Sequence, residues 1–412
     1  MIKSIKACRI CKNTNLVKVL DLGDQYLTGV FPKSVNQKIS CGSLQLLKCH
    51  DDSLSQNVCG LLQIAHDFDL NEMYGDNYGY RSGLNPSMVL HLNEKVKKIL
   101  KIISLSDGDL VVDIGSNDST TLQAYPNHKC ELVGIDPTGK KFSKFYPPHI
   151  KLIPDFFSFK KFNEYLGKKK AKVITSFSML YDLDKPLEFM EEVSKILAKD
   201  GIWIFEQSYM PTMLERNSYD TVCHEHKEYY GLNQIKWMTD KVGFKIINVE
   251  FNEINGGSFS VTVAHSSSKY PVSSSLQKLL DDELEKSLDN LDPYLNFANR
   301  VKNLRSDFKN FLNNALAEGK TVGALGASTK GNVILQYCGI TNKEILFVGE
   351  VNPDKFNCFT PGSLLPIISE NLALEKNPDY LIVLPWHFKD FFMTNKKFQK
   401  SKLIFPLPTL GS

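Results

Sequence analysis

Short apolar runs that end in polar or acidic residues recur through the middle of the chain, and segments with helical spacing separate them. Leu110-Val-Val-Asp-Ile114, Leu132-Val-Gly-Ile-Asp136, Lys151-Leu-Ile-Pro-Asp155, Val173-Ile-Thr-Ser-Phe177 and Ile202-Trp-Ile-Phe205 read as five buried strands. Helices are expected over 86–103 and 186–198, and the fifth strand is expected to begin after the Asp200-Gly201 turn. Residues 244–251 and 258–265 flank Asn-Gly-Gly and read as an antiparallel hairpin. The polar stretch 266–275, SSSKYPVSSS, reads as a linker, and 276–318 has Leu, Phe and Val at helical spacing. Beyond it, Thr321-Val-Gly-Ala-Leu325, residues 345–351 and residues 379–388 read as strands of a second, smaller α/β sheet.

A chain of 412 residues is too long for one ordinary core. The pattern divides it at 1–70, 71–265 and 266–412. With 49 basic and 46 acidic residues the net charge is +3, which leaves no electrostatic footprint for nucleic acid. No apolar run approaches the 18 or so residues of a membrane span, and MIKSIKACRICK lacks the apolar core of a signal peptide. The nine cysteines therefore read as thiols or metal ligands, and a cytoplasmic location is expected.

Candidate chemistry falls in four places. Cys8-Arg-Ile-Cys11 can present two thiolates to one metal, and Cys49 and Cys59 are the candidates for the second pair, at an unusually wide spacing. Cys41 or His50 can stand in for one of them, and unrelated reduced cysteines are the competing reading. Tyr78 and Tyr80 lie in a Gly- and Asn-rich segment and can either hydrogen-bond a polar ligand or cover an apolar edge. The strand ending at Asp113 runs into Gly115-Ser-Asn117-Asp118 and a helix start, a strand–loop–helix cofactor site. Asp136 ends the next strand, at a spacing that suits a ribose diol. A loop with one glycine and nearby carboxylates repels the pyrophosphate of NAD and suits the cationic, phosphate-free S-adenosylmethionine. Asp155 and Phe156 are placed to hold an adenine, and Ser176 lies on the fourth strand of the same sheet. The stretch 203–230 carries Cys223, His224, Glu225, His226, Tyr229 and Tyr230 just after the fifth strand, as an active-site loop does. Finally, Gly326-Ala-Ser-Thr-Lys330-Gly331-Asn332 gives backbone amides and a lysine at a helix start, which favours an anion such as a diphosphate, against a purely structural glycine turn.

Together these residues resemble the sugar-nucleotide C-methyltransferases of bacterial deoxysugar pathways. The resemblance rests on Cys8, Cys11, Cys49 and Cys59, on the DIGSND loop, on His224-Glu-His226 followed by Tyr229-Tyr230, and on the KGN loop with Pro385-Trp386 and Phe388. It implies a zinc-binding N-terminal domain, a class I methyltransferase Rossmann-like domain and a second Rossmann-like C-terminal domain. It also implies S-adenosylmethionine and Zn2+ as cofactors and a nucleotide-linked 4-keto-deoxysugar as substrate. His226 would be the base that makes an enolate and Glu225 would orient it, with Tyr181, His224, Tyr78 and Tyr80 as further catalytic candidates. Cys223, Lys330, Gly331, Asn332 and Trp386 would face the substrate. This chain departs from the family in having Cys223 where relatives carry a tyrosine, and Tyr181 where many carry a histidine. Tyr181 is the candidate replacement donor to the enolate oxygen. A monomer is expected, with no nucleic-acid or membrane partner. Two other readings stand beside this one. The first is an O-methyltransferase on a nucleotide-linked sugar or a related cell-surface glycan precursor. The second is a zinc-knuckle binding protein with an inactive methyltransferase domain.

Overall fold

The computed structural model describes residues 2–51, 58–68, 72–73, 80–126 and 130–411, so Tyr78 lies outside the described residues. At the N-terminus, β1 (Lys3–Ser4) and β5 (His66–Asp67) pair antiparallel, while β2 (Leu16–Tyr26), β3 (Cys41–Cys49) and β4 (Leu62–Ile64) form an antiparallel meander. Along β3 the alternate positions Gly42, Leu44, Leu46 and Lys48 are buried, the period of two expected of a sheet with one covered face.

The middle sheet contains β6 (Leu110–Ile114), β7 (Glu131–Ile135), β8 (Ile150–Ile153), β9 (Ala171–Phe177) and β10 (Leu197–Ser208). β6 is buried throughout, as a parallel strand covered on both faces must be. After β10, the short β11 (Glu228–Tyr229) leaves this sheet and pairs antiparallel with β4, becoming the fourth strand of the N-terminal sheet. The hairpin β12 (Phe244–Asn252) and β13 (Ser258–His265) then completes the middle sheet, whose order is β8-β7-β6-β9-β10-β13-β12 with β13 antiparallel to its neighbours. This is the class I methyltransferase fold.

One boundary differs from expectation. The helix Pro186–Ile196 stops two residues early and β10 begins at once with the buried Leu197, so Lys199 and Asp200 lie within the strand at a register break before Ile202. Burial of Leu197 in the sheet outweighs the turn propensity of Asp200-Gly201. At the other end of β10, Glu206 accepts from Asn252 at 2.9 Å and pairs with His91 at 2.5 Å and Lys95 at 2.9 Å. It thereby fixes the helix Pro86–Ile102 against the sheet rather than serving the loop that follows.

The C-terminal part is a five-stranded parallel sheet of β14 (Val322–Leu325), β15 (Val348–Glu350), β16 (Ile367–Ser369), β17 (Tyr380–Val383) and β18 (Lys402–Ile404), in the order β16-β15-β14-β17-β18. Helices Leu276–Glu285 and Asp292–Ala317 lead into it. The first of these does a specific job. Glu283, buried within it, accepts from Leu232 N at 2.5 Å, Asn233 N at 2.9 Å and Tyr209 Oη at 2.7 Å. The helix Leu232–Val242 begins at Gly231, which has no side chain to cap it, so this carboxylate satisfies the free amides and opposes the positive end of the helix dipole.

One continuous core joins Leu46 of β3, Val222 and Tyr229 of the polar stretch, Phe297 of the long helix and Val322 of β14. A second lies under the middle sheet and takes in Cys8, Cys49 and Cys59 together with Tyr230 and Leu232. The segment 219–230 is therefore held by packing on the N-terminal sheet, the middle sheet and the C-terminal sheet at once.

Candidate active site and metal centre

The cofactor loop is drawn tight by its own side chains. Gly115, at φ +79°, turns the chain out of β6, and its bare Cα lets Met179 pack within 3.0 Å of where a Cβ would stand. Asp136 accepts from Asn117 N at 2.8 Å, Thr138 N at 2.7 Å and Thr138 Oγ1 at 2.5 Å. Asp113 accepts from Thr175 Oγ1 at 2.6 Å. Burial pushes the Asp113 carboxyl up to about 7, against the Thr175 hydrogen bond and with the charge of Asp136 adding to the rise. Burial likewise raises Asp136. Two buried carboxyls thus stand close together at the carboxyl ends of parallel strands, a setting that favours a cation.

The segment 80–84 straps this loop. Asn117 Oδ1 accepts from Ser82 N at 3.0 Å and Asp118 Oδ2 from Gly83 N at 2.9 Å, while Asn117 Nδ2 donates to Tyr80 O at 3.3 Å. Tyr80 itself is 48% exposed. Just beyond the end of β8, Asp155 is ion-paired with Lys161 at 3.0 Å and accepts from Phe156 N at 2.8 Å, and the Phe156 ring is exposed. Ser176 is fully buried and accepts from Trp203 Nε1 at 3.2 Å. Side chains alternate along a strand, so Ser176 faces away from the side on which Thr175 meets Asp113.

The polar stretch bends at His224–Glu225, and the bend separates its two histidines. His224 turns under the N-terminal sheet, edge-on to the Phe68 ring at 4.5 Å and 3.4 Å from Thr28 Oγ1. It has no exposed surface. His226 turns the other way. Its ring lies 4.4 Å from that of Tyr181, and its Nδ1 is 2.8 Å from Thr221 O. A carbonyl only accepts, so Nδ1 carries the proton and Nε2 is left with a lone pair. Burial holds the imidazolium pKa down at about 4, with Lys330 acting in the same direction. His226 is thus neutral, with a free basic nitrogen, at ordinary pH.

Groups from all three parts of the chain meet at this bend. Burial raises the pKa of Glu225, partly offset by hydrogen bonds from Cys223 and Thr28. Glu225 presses so closely on Gly29 that a Cβ there would meet Oε1 at 2.2 Å. Lys330 donates to Asn255 O at 2.7 Å, and its charge is felt by Asp220, His226 and His387. Trp386 Nε1 donates to Asp220 Oδ2 at 2.8 Å.

Three residues expected to face the substrate are buried. Cys223 is fully buried in the core. Asn332, also fully buried, donates to Thr28 O at 2.7 Å and joins the C-terminal loop to the N-terminal sheet. Gly331 N is bonded to Ser328 Oγ, the N-cap of its own helix, at 3.0 Å, so that amide is not free for an anion.

The four cysteines Cys8, Cys11, Cys49 and Cys59 converge, with every sulfur within 4.8 Å of the others and the Cys8–Cys59 and Cys11–Cys49 pairs 3.5 Å apart. Sulfurs bound at about 2.3 Å in a tetrahedron stand roughly 3.8 Å apart, so the set fits one ion. Cys41 begins β3 and Cys49 ends it, which removes Cys41 as a substitute ligand.

Three family models match in succession: “Putative zinc binding domain” over residues 8–74, “Methyltransferase domain” over 88–249 and “C-methyltransferase C-terminal domain” over 253–408. The chain is also 26% identical over 398 residues to the C-methyltransferase NovU of Streptomyces niveus, covering 96% of this chain and 93% of that one. The chain is thus similar to a C-methyltransferase along nearly its whole length. Among solved structures, the plantazolicin methyltransferase BpumL with SAH matches at 11% identity over 44% of this chain and 85% of that one, with a TM-score of 0.36. The CurJ carbon methyltransferase matches at 13% over 48% and 59%, with a TM-score of 0.35. Likeness at that level carries no weight for function.

The methyltransferase domain match and the likeness to a C-methyltransferase support an S-adenosylmethionine-dependent methyltransferase over the inactive binding protein. Among the described residues, no helix is long and apolar enough to cross a membrane. Several residues of this region carried little signal in the sequence. Thr28 and Gly29 come from the turn after β2 and reach the 224–225 bend across almost 200 residues. Tyr146 braces the cofactor loop through Ser116 Oγ at 2.8 Å and Asn117 O at 3.0 Å. Asp220 is buried between Trp386 and the charge of Lys330.

Proposed function

We propose that this enzyme transfers a methyl group to the carbon next to the ketone of a nucleoside-diphosphate-linked 4-keto-deoxysugar, by way of an enolate. The observation that carries this reading is His226, a neutral imidazole with its Nδ1–H committed to Thr221 O and its Nε2 lone pair available. A hydroxyl-directed transfer needs little more than removal of an acidic proton, whereas a carbon has no lone pair until a base has removed its proton. His226 Nε2 takes the proton beside the ketone, and the electron pair moves onto the ketone oxygen. Tyr181 and the Lys330 ammonium, each beside His226, are the donors and charge that stabilise that oxygen. Glu225 steadies the imidazolium that forms. When bound, S-adenosylmethionine supplies an electrophilic methyl to the enolate carbon.

In this reading Asp136 holds the cofactor ribose and Asp113 meets its ammonium, with Gly115 and Asn117 shaping the loop. Asp155 and Phe156 receive the adenine, and Lys330 with Trp386 borders the sugar nucleotide. The four cysteines hold zinc. A closed set of four thiolates leaves no position for water or substrate, so the ion is structural. The test is the product formed from methyl-labelled cofactor and a nucleotide 4-keto-deoxysugar. A carbon-bound methyl in the product spectrum supports the proposal, and an oxygen-bound methyl refutes it in favour of the O-methyltransferase.

A further inference from the structure

We propose that Lys48 is the countercation of the four-cysteine metal site, a positioning residue that lowers the negative charge of the cluster and so tightens its hold on the metal. This rests on the assignment of Cys8, Cys11, Cys49 and Cys59 as ligands.

Lys48 occupies a place that the sequence pattern reserves for an apolar residue. It continues the buried face of β3 after Leu44 and Leu46, and like them it has no exposed surface. Its stem can pack there as a hydrocarbon, but its ammonium must find a partner. Among the described residues, the partners it has are a carbonyl and a ring rather than an ion-paired carboxylate. Nζ donates to Gly60 O, in the residue directly after the ligand Cys59, and stands 5.0 Å from the centroid of Tyr294. The negative groups whose charge reaches it are the sulfurs of Cys59, Cys49 and Cys8, together with Asp289.

The knuckle is shaped to admit it. Gly60 is at φ +67°, and a Cβ there would stand 2.9 Å from Nζ. Gln234 Nε2 donates to Cys59 O at 3.1 Å and Gly60 O at 3.3 Å, so the turn that carries the fourth ligand is gripped from two sides. Four thiolates around a divalent cation leave a net charge of −2 in a buried place, which is costly without a compensating cation. Lys48 brings that to −1. Because Tyr294 belongs to the helix Asp292–Ala317, the same ammonium ties the metal site to the element that leads into the C-terminal sheet.

The experiment is a zinc competition against a chromophoric chelator, using the full chain and the variants Lys48→Met and Lys48→Arg. A cobalt-loaded sample of each is read for the sulfur-to-metal absorption band. Methionine keeps the stem and removes the charge, while arginine keeps the charge. Loss of an outer-shell partner typically weakens metal binding about 10- to 100-fold. The expected result is a loss of that size for Lys48→Met, a four-thiolate cobalt band in all three proteins, and affinity within about threefold of the parent for Lys48→Arg. Parent-like affinity in Lys48→Met overturns the proposal, and so does an equal loss in both variants, which would assign the effect to packing. If the methionine variant does not fold, the arginine variant decides alone by the same threefold criterion. A parent chain that binds no metal refutes the ligand assignment itself, and that failure is visible before any variant is compared.

Discussion

Gly29→Ala puts a single methyl group where the N-terminal sheet meets the catalytic bend. The Cβ would lie 2.2 Å from Glu225 Oε1, 3.4 Å from its Cδ and 3.5 Å from Thr329 Oγ1. Carbon and oxygen come no closer than roughly 3.2 Å without repulsion, so the carboxylate must retreat by about 1 Å. The backbone gives no relief and adds no strain, because Gly29 is not among the glycines held at positive φ. A misplacement of about 1 Å at a catalytic group costs on the order of a hundredfold in rate, or about 2.7 kcal/mol of transition-state stabilisation. The assay is steady-state kcat/KM for methyl transfer, with cofactor affinity measured separately by titration. Cofactor affinity should hold, since Gly29 touches no residue of the Gly115–Asp118 loop. A kcat/KM within twofold of the parent enzyme would refute the placement of Glu225 in the catalytic machinery.

Cofactor affinity should fall as pH drops through about 7. Below that value the buried Asp113 carboxyl takes up a proton and loses its attraction for an ammonium, so an affinity independent of pH between 6 and 8 would contradict its role. Lys330→Met should shift the acid limb of kcat/KM to higher pH. Activity is lost as pH falls through the His226 pKa, and removing a neighbouring positive charge raises that pKa; an unmoved limb would separate Lys330 from His226. Tyr181→Phe should lower turnover with little effect on cofactor affinity, and unchanged turnover would remove it as the enolate donor.

The middle sheet is legible in the sequence because its parallel strands are buried on both faces and appear as unbroken apolar runs, as in Leu110–Ile114. β16 and β18 have three residues each, too few to show a period, and escape notice. The metal site is legible despite its wide second spacing, because cysteine is rare and its chemistry narrow. The catalytic bend is harder to read. His224 and His226 look equivalent in sequence, and only the bend at 224–225 sends one to Phe68 and the other to Tyr181. Thr28 and Gly29 could not have been found, because a threonine and a glycine in a β-rich segment signal nothing until the fold brings them to Glu225.

The central claim is that His226 removes a proton from carbon before any methyl is transferred. Incubation of the enzyme in D2O with a nucleotide 4-keto-deoxysugar, without S-adenosylmethionine, tests it most directly. The account predicts deuterium at the carbon beside the ketone with the parent enzyme and none above background with His226→Ala. Exchange that persists in His226→Ala, or its absence from a parent enzyme that still methylates that sugar, would contradict it.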